Sequence, residues 1–94
     1  MTITELARQI QKRGTPWYEK ARLIETFHLK MLDEHGHKIS RSDDGWSMQL
    51  TAKYLKLSKS YICQAIHVAE VLRARPRMQF EYGSIHDAYM TEKG

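Results

Sequence analysis

Three residues, Lys56-Leu57-Ser58, separate two stretches whose apolar side chains recur at helical spacing. That arrangement constrains the fold more than any other feature of the chain. Ile62, Ala65, Ile66, Ala69 and Leu72 form a buried stripe on the second stretch. Ser47 and Ser58 stand where an N-cap hydroxyl would satisfy the first exposed N–H groups of each helix. A connection this short holds the two helices against each other. Where they cross closely only a small side chain fits, and Ala52 stands there, with Leu55, Leu57, Ile62 and Ala65 filling the seam. The spacing predicts one helix over 48–55 and a second starting at 58.

The rest of the chain reads the same way. Thr2 and Glu5 fit a capping box before Ile3, Leu6, Ala7 and Ile10, and Gly14 is a natural left-handed stop, which predicts a helix over 3–13. Thr15 can cap the next helix, with Pro16 in its first turn. Ala21, Leu23, Ile24, Phe27, Met31 and Leu32 supply its apolar face, and Gly36 closes it, giving 16–35. Residues 37–45 are polar and read as an exposed loop. Pro76 prevents smooth continuation of the fourth helix. Short helices follow over 77–82, ending at Gly83, and over 85–90, capped by Ser84 with Asp87 at the third helical position. No run shows the period-2 alternation of a strand. The fold class is therefore all-α, with a central helix-turn-helix. Ninety-four residues make one domain with a modest core. Within it, 1–14 is an N-terminal helix and candidate dimerisation element, 15–90 the helix-turn-helix domain, and 91–94 a flexible tail.

Charge is unevenly distributed. Segment 47–77 carries Lys53, Lys56, Lys59, Arg73, Arg75 and Arg77 against Glu70 alone, a net +5 out of +4 for the whole chain. Localised positive charge is the electrostatic footprint of a polyanion partner, and equally the mark of a solvated basic face. Cys63 is the single cysteine, so no internal disulfide framework exists. No apolar run reaches the roughly 20 residues of a membrane span, and the N-terminus lacks the features of a secretory signal. These features predict a soluble cytoplasmic, nucleoid-associated protein.

A helix beginning at Ser58 presents Lys59, Ser60, Cys63, Gln64 and His67 opposite its apolar stripe. These side chains are small or polar, as a helix entering a major groove about 12 Å wide requires. The expected base-reading residues are Ser58, Lys59, Ser60 and Gln64: lysine donates to guanine, glutamine pairs with adenine, and serine serves either. Ser47, Lys53, Lys56, Tyr61, His67, Arg73, Arg75 and Arg77 are the expected contacts to the DNA backbone. Tyr61 can alternatively pack beneath the helix, and the three arginines can simply solvate the helix end.

The run from Ala52 to Ile62, AKYLKLSKSYI, resembles the helix-turn-helix of ParB-type centromere-binding proteins and the related KorB repressor. In that family an Ala-x-x-Leu segment leads into a Ser-x-Ser-Tyr-Ile/Val helix start. Glu19-Lys20-Ala21, before a long helix ending at His35-Gly36, resembles the preceding helix of the family. Gly83-Ser84-Ile85-His86-Asp87-Ala88 resembles its downstream glycine and short helix. The likeness covers 16–90 and implies the DNA-reading module only, without the nucleotide-binding and C-terminal dimerisation domains. Lys56 stands where the family usually has a turn glycine, and loop 37–45 is longer than the family's. The resemblance implies binding to double-stranded DNA as a repressor or partition-type site binder. A homodimer on a palindrome is the expected assembly, because one module makes a small interface. The rival class is a small helical adaptor that binds a protein, such as transcription machinery, or RNA.

Other chemistry finds little footing. His28, His35, His37, His67 and His86 lack structural zinc spacing with Cys63, so no metal and no cofactor is expected. A Cys63 nucleophile would need a base oriented by a third group, and no carboxylate is placed to orient His67. No catalytic residue, small-molecule substrate or membrane partner is expected. Trp17 and Trp46 begin helices, where aromatics staple the entry into the core more often than they stack on bases.

Overall fold

A computed structural model describes residues 2–36 and 45–93, and among these the ordered elements are all helices. They are α1 (Ile3–Gln11), α2 (Trp17–His35), α3 (Met48–Leu55), α4 (Lys59–Ala74), α5 (Met78–Glu81) and α6 (Ile85–Lys93). The polar loop expected over 37–45 lies outside the described residues except for Gly45, which is buried. None of these helices is long and apolar enough to cross a membrane.

Local chemistry accounts for most of the helix starts. Thr2, Ser47, Ser58 and Ser84 each accept a hydrogen bond at their hydroxyl from the backbone N–H three residues on, at 3.1–3.4 Å. Thr15 does not cap α2. Its hydroxyl turns back to the carbonyls of Gln9 and Lys12, both at 3.2 Å, and Pro16 takes the N-cap position without a side-chain bond. That use of Thr15 belongs with an early end to α1. The helix stops at Gln11 rather than 13, with Lys12 extended and Gly14 reversing the chain at φ 87°. Beyond Pro76, α5 is a single turn, and α6 runs three residues past the expected 85–90.

The core forms around α2 and α4, the most extensively packed pair. Ile24, Phe27 and Met31 of α2 meet Ile62, Ala65, Val68, Ala69 and Leu72 of α4 in one apolar cluster. Ala21 of α2, Leu6 and Ile10 of α1, Ala52 and Leu55 of α3, Met78, Ile85 and Ala88 complete it. Ala52 is buried as its small size anticipates, and Trp17 and Trp46 are half-buried against the cluster. The apolar face of α1 is thus spent inside the chain, and Gln11 donates from Nε2 to the Leu55 carbonyl at 3.3 Å, supplying a partner at the end of α3. What α1 turns outward is polar: Thr4, Glu5, Arg8, Gln9 and Gln11.

Two buried polar side chains of α2 lie on its core-facing stripe. His28 Nδ1 stands 2.7 Å from Thr51 Oγ1, and Trp46 Nε1 donates to the same oxygen at 2.6 Å. This hub joins α2, α3 and the chain entering α3, and so fixes the angle at which α3 presents the turn. A second tie runs from α2 to the end of α4, where Arg73 donates to Glu25 at 2.9 Å.

Glu25 titrates above its ordinary value of 4.5. Burial raises it, Arg73 offsets part of that, and the charge of Glu70 raises it further. The folded chain therefore holds this proton more tightly than the unfolded chain does. The resulting stability is present below pH 4.5 and is lost as pH rises through the folded value. Glu25→Gln removes the titration. Its melting temperature relative to the parent should therefore climb between pH 4 and pH 7, and a relative fall over that interval would show the ion pair outweighing burial.

Candidate functional site

The turn between α3 and α4 carries the one non-glycine residue at positive φ among those described. Lys56 sits in the left-handed region, φ 59° and ψ 40°. That conformation costs an ordinary residue about 1 kcal/mol. In return the N–H of Lys56 reaches the carbonyls of Ala52 and Lys53, and Leu57 N–H bonds Ala52 O at 2.9 Å. Leu57 folds half-buried against the core. Ser58 then caps α4, which projects at a fixed angle from α3.

Ile62, Ala65, Val68, Ala69 and Leu72 of α4 are buried in the cluster it shares with α2, α3 and α6. Its other side carries Lys59, Ser60, Cys63 and His67, all exposed. Gln64 is half-buried. Its Oε1 accepts from Nδ1–H of His86 on α6 at 3.4 Å, and His67 meets the ring of Tyr89 edge-on at 5.4 Å. Helix α6 therefore flanks the middle of this face and leaves the first turn most open. Ser58 is exposed too, with its hydroxyl accepting the capping bond from Tyr61.

The expected backbone contacts separate into distinct groups. Lys53, Lys56 and Lys59 are exposed and have no carboxylate within ion-pair distance among the described residues. Arg73 is held by Glu25, and Arg75 lies 3.8 Å from Glu81. Arg77 is exposed at the start of α5. Ser47 is half-buried with its hydroxyl used as a cap. Tyr61 is half-buried, burial pushes its phenol above 10.0, and Lys20 of α2 lies over its ring at 5.7 Å.

Sequence reasoning missed Lys20, Glu25, His28 and Thr51. A signal existed for the middle two, since residues 21, 24, 25, 28 and 31 share one face of α2 and two of them are polar. Among the described residues no three His, Cys, Asp or Glu side chains stand together as a metal site.

Fold and site together define a small all-helical protein with an exposed, acid-free helix start behind a three-residue turn. Comparison with protein-family models, with curated proteins and with solved structures gave no match.

Proposed function

We propose that this chain binds specific double-stranded DNA, reading the major groove with α4 as a repressor or partition-type site binder. The observation that carries the reading is the open first turn of α4. Lys59 and Ser60 face outward there, with Cys63 exposed one turn on and Lys53 and Lys56 preceding them in the chain, and no acidic residue occupies that turn. Like charges gathered without carboxylates repel one another, and a phosphate backbone removes that repulsion while releasing counterions. Side chains this short let the helix backbone approach base edges. A ParB/KorB-type reading module is the form this takes. Two copies on a palindrome would double a small interface, with half-sites one helical turn apart. Since the apolar face of α1 is internal, such pairing would use another surface.

Selection of bound fragments from a random duplex pool tests the reading. A defined site should emerge, and its symmetry reports the stoichiometry. Against that site, Lys59→Ala or Gln64→Ala should relax preference at one base position by about 1–3 kcal/mol. Recovery of no preferred sequence, or equal losses on specific and random duplexes, removes the base-reading role.

A further inference from the structure

We infer that Lys20 of α2 is a DNA-backbone contact lying outside the helix-turn-helix, held beside the first turn of α4 by the ring of Tyr61. The inference rests on the DNA-binding reading and adds to it a residue that nothing in the turn's sequence indicates. Lys20 Nζ stands 5.7 Å from the centre of the Tyr61 ring. Tyr61 is a firm platform. It belongs to the first turn of α4, its N–H is bonded to Ser58 Oγ at 3.1 Å, and its side chain packs against the core.

The chemistry of this anchor differs from that of the other held cations. Arg73 and Arg75 face carboxylates, which neutralise them. An aromatic ring attracts an ammonium through its quadrupole but has no net charge. Tyr61 therefore orients Lys20 and leaves its full positive charge available. Burial pushes the phenol upward, so the ring stays neutral across the physiological range. Lys20 has no carboxylate within ion-pair distance among the described residues. It thus brings a cation from a second element to the end of α4 that already carries Lys59. A lysine is a point charge with three donors, suited to phosphate rather than to a base pattern. It should add affinity without adding sequence information.

The test uses the full chain on its selected duplex and on a random duplex, with affinity measured between 50 and 200 mM salt. Removing one phosphate contact flattens the log–log salt slope by about 0.9, so Lys20→Gln should lose about 3.5-fold less affinity than the parent across that range. Both duplexes should weaken by the same factor, with base preference unchanged. Lys20→Arg should keep the parental slope, since it keeps the charge. Tyr61→Phe should keep it too, because the ring remains, whereas Tyr61→Leu should flatten it. Melting curves confirm that each variant is folded. A parental slope for Lys20→Gln, or a shifted base preference, overturns the Lys20 contact while leaving the reading by α4 in place. A slope that flattens with Tyr61→Phe overturns the anchoring role of the ring, because the ring is retained and a neutral hydroxyl releases no counterion. Failure of the parent chain to bind either duplex defeats the DNA reading itself, and the Lys20 contact with it.

Discussion

Phe27→Ala is expected to destabilise the chain by about 3–5 kcal/mol, the usual cost of truncating a fully enclosed aromatic. The side chain is 0% exposed and lies in the cluster shared by α2 and α4, with its ring 5.1 Å from that of Tyr54 on α3. Three elements therefore lose contact with one deletion. The hole cannot be filled cheaply, because its neighbours are held by other restraints. His28, the next residue, is bonded to Thr51 on α3, and Ile24 and Met31 belong to the same apolar cluster as the buried face of α4. A native domain is stable by only about 0.05–0.15 kcal/mol per residue, so this loss is a large part of the total for 94 residues. At about 4–8 °C per kcal/mol in a domain of this size, the melting temperature should fall by more than about 12 °C. Thermal denaturation followed by circular dichroism checks this. A fall of a few degrees would mean that the core repacks, and that the α2–α4 contact is looser than its burial indicates.

How far the sequence reveals this arrangement depends on the range of the interaction concerned. Caps are local, and Thr2, Ser47, Ser58 and Ser84 perform the role their spacing announces. Thr15 fails because its hydroxyl has competing acceptors at Gln9 and Lys12, exposed only when α1 ends early. The stripe on α4 is legible as one face, yet Val68 is fully buried and Ile66 only half. A helix packed by α2, α3 and α6 buries a wider arc than a single-faced periodicity describes. The pairings that tune the candidate site are remote in sequence: Lys20 with Tyr61, Glu25 with Arg73, Gln64 with His86. No local pattern encodes which cation meets a ring and which a carboxylate. That sorting divides a uniform-looking basic segment into Arg73 and Arg75, which face carboxylates, and Lys53, Lys56, Lys59 and Arg77, which form no ion pair among the described residues.

The triple replacement of Lys53, Lys56 and Lys59 by glutamate should separate function from stability in the opposite sense to Phe27→Ala. All three side chains are exposed and make no ion pair among the described residues. Folding should barely register their loss. Glutamate at 59 enters the first turn of α4, where an acid is favoured by the helix dipole, and glutamates at 53 and 56 enter the last turn and the C-cap of α3, where they are disfavoured. These changes are each worth about 0.3–1 kcal/mol and partly offset one another. Binding should respond far more strongly. Three lost counterion-releasing contacts remove about 2.7 from the salt slope, which at 50 mM salt corresponds to a loss on the order of a thousandfold relative to molar salt. Reversed charge adds repulsion from the phosphates, so that figure is a lower bound. Paired measurements decide the matter: a melting temperature within a few degrees of the parent, and duplex affinity reduced below detection in low salt. If the triple variant retained parental affinity, the partner of this face would not be a polyanion, because no nucleic acid tolerates six units of charge change where it meets the protein.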